Sequence, residues 1–171
     1  MGVGGFHNNL GATFIRRGEI DAARQHLRIS QKYFEQAQAR DWLPELYYHW
    51  AEAALLCGEL SEAEAQGRQA TSLARELEMR REEGMSLRVL GQFEQAQGHL
   101  YASLALLEQV GDEYEEARSQ LALARLHASK GEQPASLAAL ERCMPIFERL
   151  GAALDLVAAQ ALREEIVRED G

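Results

Sequence analysis

The feature that most constrains the fold of this chain is an internal repeat built around four glycines. Gly18, Gly58, Gly98 and Gly131 each end a similar stretch, and they lie 40, 40 and 33 residues apart. Self-similarity at such a period is typical of helical solenoids, in which each unit buries its apolar face only against its neighbours. The repeat therefore predicts a stack of similar units, a scaffold that usually binds other polypeptides.

Small and large residues recur at fixed distances from these glycines. A small residue lies seven positions before each glycine, and another lies five positions after it. A large apolar residue directly precedes the first small residue of each unit. The small residues are Gly11, Ala51, Gly91, Ala124, Ala23, Ala63, Ser103 and Ser136, and the large ones are Leu10, Trp50, Leu90 and Leu123. Small residues let helices approach closely, and a glycine permits the positive φ of a tight helix–helix turn. The pattern predicts antiparallel helix pairs that nest against one another.

Composition and charge narrow the class of protein further. Val, Ile and Thr total only twelve among 171 residues, which argues against a large sheet. The net charge of −9 disfavours direct binding to nucleic acid, because an acidic surface repels phosphate. No apolar run is long enough to cross a bilayer, so no membrane partner is expected. Cys57 and Cys143 are interpreted as two buried thiols of a cytoplasmic protein.

This pattern resembles the tetratricopeptide repeat (TPR). The Leu-Gly pair, turn glycine and small helix-B residue of that family match Leu10-Gly11, Gly18 and Ala23, and again Leu90-Gly91, Gly98 and Ser103. The second and fourth units are degenerate, with Trp50-Ala51 and Leu123-Ala124 in place of Leu-Gly. The 40-residue spacing is also similar to the lengthened repeats of bacterial multidomain signalling ATPases and transcriptional regulators.

We therefore predict an all-α, TPR-like, right-handed solenoid of about four helix–turn–helix repeats plus a C-terminal helix, as one domain over 1–171. The approximate repeats are 6–39, 43–79, 82–110 and 113–149, followed by a helix over 153–168. Within them the helices are expected at 6–17, 20–39, 43–57, 61–79, 82–97, 99–110, 113–129 and 134–149. The predicted core comprises Leu10, Leu27, Trp50, Ala63, Leu90, Leu107, Leu123 and Leu140. Pro145 has no N–H for the carbonyl of Glu141, which predicts a kink or break near Met144.

The sequence predicts no catalytic, cofactor-binding or metal-binding residue, and hence no enzyme and no cofactor. The five histidines show neither the HExxH spacing nor a cysteine pair that would complete a zinc site. Gly2-Val3-Gly4-Gly5 follows no strand, so we interpret it as a flexible terminus and not as a dinucleotide-binding loop. No serine or cysteine is paired with a histidine at a spacing typical of nucleophilic catalysis.

The resemblance also implies a binding surface, because the first helices of successive TPR units line a concave groove. Transferred by position, the groove residues are Asn8, Ala12, Tyr48, Glu52, Arg88, Gln92, Leu121 and Arg125, with Gln95 and Arg118 on the same side. An aromatic ring, arginines and amides are typical of peptide-binding surfaces. The Lys/Asn clamp of chaperone-binding relatives is not reproduced. We expect an acidic protein segment to meet Arg88 and Arg125, with an apolar residue at Tyr48.

Two functions stay open at this point. The first is a non-enzymatic scaffold that binds a polypeptide on its concave face. The second is a sensor or spacer segment of a larger bacterial signalling ATPase or transcriptional regulator. We also predict homo-oligomers through the helix ends, because the last helix has an apolar stripe at Leu154, Val157, Ala158, Ala161, Leu162 and Ile166. Leu156 and Val167 lie off that stripe and are expected to lack cover.

Overall fold

The computed structural model describes residues 2–94 and 97–169, which form nine α-helices and one short 3₁₀ helix, Arg40–Trp42. In chain order, the helices are α1 Val3–Arg16, α2 Ile20–Ala37, α3 Leu43–Leu56, α4 Leu60–Glu76, α5 Arg80–Glu94, α6 Gln97–Val110, α7 Glu113–Ser129, α8 Gln133–Leu150 and α9 Ala153–Glu169. No strand occurs in this part of the chain, which confirms the all-α prediction. None of the described helices is long and apolar enough to cross a membrane.

The helices pair in sequence, α1 with α2, α3 with α4, α5 with α6 and α7 with α8. The odd-numbered helices, which we call the first helices, also contact one another in order from α1 to α9. Each pair therefore packs against the pairs that precede and follow it in the chain, as in a repeat solenoid.

Close approach inside each pair depends on the small residues that the repeat predicts. A Cβ atom on Gly11 would lie 2.6 Å from Cδ2 of Leu27, and one on Gly91 would lie 2.7 Å from Cδ2 of Leu100. Ala51 and Ala124 occupy the matching positions and are fully buried. Because no larger side chain fits there, these positions set the distance between the two helices of a pair.

The turns use left-handed residues, but not all of those expected. Gly18, Gly58 and Gly131 have φ of 75°, 72° and 72°. Gly98 was predicted to be a turn glycine, and this is wrong, because α5 ends at Glu94 and Gly98 already lies in the first turn of α6. The turns between pairs have left-handed residues of their own, at Gln38, Glu78, Gly111 and Gly151.

Most of the predicted core is confirmed. Leu27, Ala63, Leu90, Leu107, Leu123 and Leu140 are buried. Leu10 and Trp50 are only partly buried. Cys143 is buried as predicted, whereas Cys57 is exposed at the turn after α3, and both are free thiols.

The structure bears on two other expectations about the backbone. The helix α8 continues through Pro145, so the predicted break is wrong, whereas a kink there stays a prediction. The N-terminal glycines are not a free terminus, because α1 begins at Val3 and buries Gly4 and Gly5. A Cβ on Gly4 would lie 2.7 Å from the Phe34 ring, so this glycine allows α1 to pack against α2.

The last helix buries part of the predicted stripe. Ala158, Leu162 and Ile166 pack against the core of the last pair as predicted. Leu156, which was expected to lack cover, and Ala159 pack there as well, whereas Leu154, Val157 and Ala161 of the predicted stripe are exposed. Val167 is exposed as expected. Association through the helix ends stays a prediction.

The two glycines of the third pair give a direct test of this fold. The Gly91→Ala substitution places a Cβ 2.7 Å from Cγ and 3.2 Å from the backbone N of Leu100. We expect it to lower the free energy of unfolding by about 1–3 kcal/mol through overpacking. The Gly98→Ala substitution meets nothing within 4 Å. It should leave stability unchanged or raise it by up to about 1 kcal/mol through helix propensity.

Urea unfolding followed by far-UV circular dichroism measures both effects. Equal damage from the two substitutions would contradict the placement of Gly98 inside α6.

Candidate functional site: a buried charge cluster beneath a concave cleft

The centre of the stack contains charged side chains that are buried where α3, α5 and α7 meet. We call Tyr48, Glu52, Arg88, Glu115 and Arg118 the arginine–glutamate cluster. Tyr48 is 0% and Arg88 only 1% exposed. Charged groups are rarely buried this deeply unless each one has a partner.

Tyr48 of α3 is the hydrogen-bond acceptor at the middle of the cluster. Its hydroxyl accepts a hydrogen bond of 2.5 Å from Nη2 of Arg88 and one of 3.0 Å from Nη1 of Arg118. The Arg88 guanidinium also lies 5.6 Å from the centre of the Tyr48 ring. Tyr48 thus holds side chains of α5 and α7 on α3.

The two glutamates neutralise the two arginines. Oε2 of Glu115 lies 2.7 Å from Nη1 of Arg88, and Nη2 of Arg118 donates to Oε1 of Glu52 at 2.7 Å. The backbone carbonyl of Glu115 accepts a further bond of 3.1 Å from Arg88. The cluster therefore holds equal numbers of positive and negative charges, which is the condition under which buried ions are tolerated.

His49 extends the cluster along α3. Its Nε2 lies 3.8 Å from Oε1 of Glu45 and its Nδ1 lies 3.8 Å from Oε2 of Glu52. Burial lowers the pKa of His49, but the two carboxylates outweigh burial, so the pKa is raised overall. The imidazolium form is therefore stabilised in the folded protein.

Asp155 extends the cluster to α9. Its Oδ1 lies 3.8 Å from Nε of Arg118, and its Oδ2 accepts a 2.9 Å hydrogen bond from the hydroxyl of Tyr114. Burial raises the pKa of Tyr114 to about 12, so this tyrosine stays a donor. Arg118 in this way connects α3, α7 and α9.

The pKa shifts of the cluster follow from the same contacts. Burial raises the pKa of Tyr48 well above its usual value, although Arg118 and Arg88 oppose this. Burial alone would raise the pKa of Glu52, but Arg118, His49 and Arg88 outweigh it and lower that pKa far below its usual range. At neutral pH the tyrosine is therefore neutral and the glutamate ionised.

A cleft of about 520 Å³ lies on the concave side, next to this cluster. All five first helices contribute to its wall, so it extends from the last turn of α1 to the first turns of α9. Its lining residues are Ile15, Arg16, Glu52, Leu55, Leu56, Gly91, Gln92, Arg118, Ala122, Arg125, Leu126, Ser129, Leu154, Asp155 and Ala158. Its volume is within the range of about 300–1,000 Å³ that ligand pockets span.

The structure brings only some of the predicted groove residues to this cleft. Glu52, Gln92, Arg118 and Arg125 line it. The others are buried below the surface, namely Asn8, Ala12, Tyr48, Arg88 and Leu121. Gln95 lies outside the described residues. Tyr48 and Arg88 contact each other and the glutamates, so the structure offers neither side chain to a ligand. Peptide binding by the predicted groove set stays a prediction, and that set is Asn8, Tyr48, Glu52, Arg88, Gln92, Arg118 and Arg125.

The groove positions transferred from the resembling family did not include residues at the ends of the helices. Arg16 and Leu56 lie in the last turns of α1 and α3, and Leu154 and Asp155 lie at the start of α9. Leu56 is 61% and Leu154 is 56% exposed. The signal in the sequence for this surface was Leu56, a large apolar residue two positions before the turn glycine Gly58.

The described side chains form no metal centre. Within residues 2–94 and 97–169, no three His, Cys, Asp or Glu side chains gather as metal ligands would. His7 and His26 have their Nδ1 atoms 2.7 Å apart, but they hydrogen-bond to each other.

The burial of Arg88 predicts a large difference between two similar ion pairs. Arg88→Met leaves the carboxylate of Glu115 buried without its partner, which should lower the free energy of unfolding by about 3–5 kcal/mol. Arg149 and Glu113 are also 2.7 Å apart, but both are 57% exposed. Arg149→Met should therefore cost less than about 1 kcal/mol. Chemical denaturation of both variants measures the contrast, and equal costs would contradict it.

His49 predicts a pH dependence of stability. Its pKa is raised in the folded state, so its contribution is fully present below the unfolded value of about 6.5. That contribution is lost as the pH rises through the folded pKa. As the pH rises above about 6.5, the wild type should lose stability that the His49→Gln variant does not lose. Urea titrations across this range test it, and parallel pH profiles would show that His49 is not the group responsible.

The comparisons with known proteins agree with this architecture. A search of curated proteins found no match. The family model described as tetratricopeptide repeat matches residues 77–149, which span α5, α6, α7 and nearly all of α8. Helices α1 to α4 form the same kind of pairs immediately before it. Residues 77–149 therefore match the tetratricopeptide-repeat family, and two further helix pairs precede them.

Proposed function

We propose that this chain is a non-enzymatic protein-interaction module that binds a polypeptide segment in its concave cleft. The observation that carries the proposal is one continuous cleft to which all five first helices contribute. TPR domains are generally protein-interaction modules, which supports this reading. A role as a sensor or spacer in a larger bacterial signalling ATPase or regulator rests on the sequence alone and stays a prediction.

The cleft has the features of a recognition surface. Exposed leucines, Leu56 and Leu154, stand beside the polar side chains of Gln92 and Arg125. The arginines and glutamates of the cluster beneath them are paired within the protein, so these side chains are held in place before any ligand arrives. A preorganised wall lowers the entropy that binding costs.

Two exposed leucines of similar accessibility provide a matched test. Leu56 lines the cleft and is 61% exposed, whereas Leu60 lies outside the cleft and is 53% exposed. The Leu56→Asp substitution should weaken binding of a selected peptide at least tenfold, because it places a charge where apolar surface is buried. The Leu60→Asp substitution should leave the affinity unchanged. Both leucines are exposed, so neither change should unfold the chain.

The peptides come from panning a random library on the wild-type protein, and fluorescence anisotropy measures their affinities. Equal binding by both variants would place the interaction outside the cleft. Failure to select any peptide, with the wild type folded by circular dichroism, would count against a peptide-binding function.

A further inference from the structure

Two arginines of the cleft make no close ion pair with any carboxylate that the structure describes. Arg16 and Arg125 both line it. Among the described residues, no carboxylate oxygen lies within 4.0 Å of either guanidinium. Arg16 makes only a 3.5 Å hydrogen bond to Oγ1 of Thr13, an uncharged acceptor. The two side chains are thus free to meet a ligand.

The other charges of the cleft are already used. Arg118 is bonded to Glu52 and lies close to Asp155. Three arginines and two carboxylates therefore line the cleft, which leaves it with a net positive charge in a chain of net charge −9. A positive patch on an acidic molecule attracts acidic ligands.

The electrostatics of Arg125 support the same conclusion. Burial lowers its pKa, the charge of Asp155 raises it only in part, and Arg118 lowers it further. For Arg24, Arg81, Arg88 and Arg118, acidic or tyrosine partners instead raise the pKa. Arg125 is thus a partly desolvated cation to which a carboxylate would supply the missing interaction.

The two ends of the helical stack come together at this site. Arg16 is the last residue of α1. Its positive charge acts on Tyr114 of α7, where it opposes the rise in pKa that burial causes. Leu154 begins α9 and exposes an apolar side chain into the same cleft, as Leu56 of α3 does. A ligand therefore meets charge and apolar surface within one small volume.

We propose that the occupant of the cleft is a short acidic polypeptide segment with apolar residues beside its carboxylates. Its carboxylates pair with Arg16 and Arg125, and its apolar side chains pack on Leu56 and Leu154. Arginine binds a carboxylate through two parallel hydrogen bonds, which fixes the register of the segment. The inference rests on the proposed function and adds the chemical class of the ligand.

The probe is a library of fluorescein-labelled hexapeptide amides made only of Asp, Glu, Leu and Phe. A second library replaces Asp and Glu by their neutral isosteres Asn and Gln, and a third replaces them by Lys. We expect the acidic library to bind at least tenfold more tightly than either of the others in anisotropy titrations. Its dissociation constant should rise with salt, because the interaction is between charges.

Charge reversal identifies the arginines. Arg16→Glu and Arg125→Glu should each weaken binding of the acidic library at least tenfold, and the double variant should lose the salt dependence. Arg142 on α8 is the matched control, since it is exposed and lines no part of the cleft. Arg142→Glu should bind as the wild type does. Circular dichroism confirms that each variant is folded.

The outcomes separate the two proposals. Binding that Leu56→Asp abolishes but charge reversal leaves unchanged would overturn the acidic ligand and keep the cleft as the site. If the neutral or the basic library bound as tightly as the acidic library, or more tightly, the acidic ligand would likewise be overturned while the cleft remained the site. Binding that none of the cleft substitutions affects would overturn the cleft itself.

Discussion

The structure depends on one electrostatic constraint, that charges buried at the centre of the stack have their counter-charges on different first helices. Arg88 of α5 is neutralised by Glu115 of α7, and Arg118 of α7 by Glu52 of α3. Both arginines share the hydroxyl of Tyr48. Since an unpaired buried ion is costly, α3, α5 and α7 cannot slide past one another without separating these pairs. Apolar contacts alone would tolerate many more registers.

The same constraint determines what the cleft can recognise. Arg118 and Glu52 belong to the cluster and also line the cleft. Because they form an ion pair with each other, their charges are already neutralised. They form a fixed polar floor. Recognition by charge must then come from side chains that the cluster does not use, and Arg16 and Arg125 meet this requirement. The sequence alone does not show which arginines pair with glutamates inside the protein and which stay available to a ligand.

The sequence predicted the helices better than the roles of their polar residues. Small residues such as Gly11 and Gly91 have one steric function, and the structure gives them that function. Gly98 shows the limit of this reasoning, because a glycine in a first helical turn has the same identity as one in a left-handed turn. Arg88 shows a second limit, since its partner Glu115 lies 27 residues away. Arg88 lies three residues before Gly91 and Glu115 nine residues before Ala124, so the repeat pattern gave no signal for this pair.

The curvature of the stack adds a connection that a one-dimensional solenoid usually lacks. In such proteins each repeat contacts only its neighbours, so the two ends are energetically independent. Here Ile15 and Arg16 of α1 line the same cleft as Leu154 and Ala158 of α9. A segment seated in the cleft would contact the first and last helices at once. Its binding free energy would then oppose any motion that opens the superhelix, so binding and the stiffness of the whole stack become linked quantities.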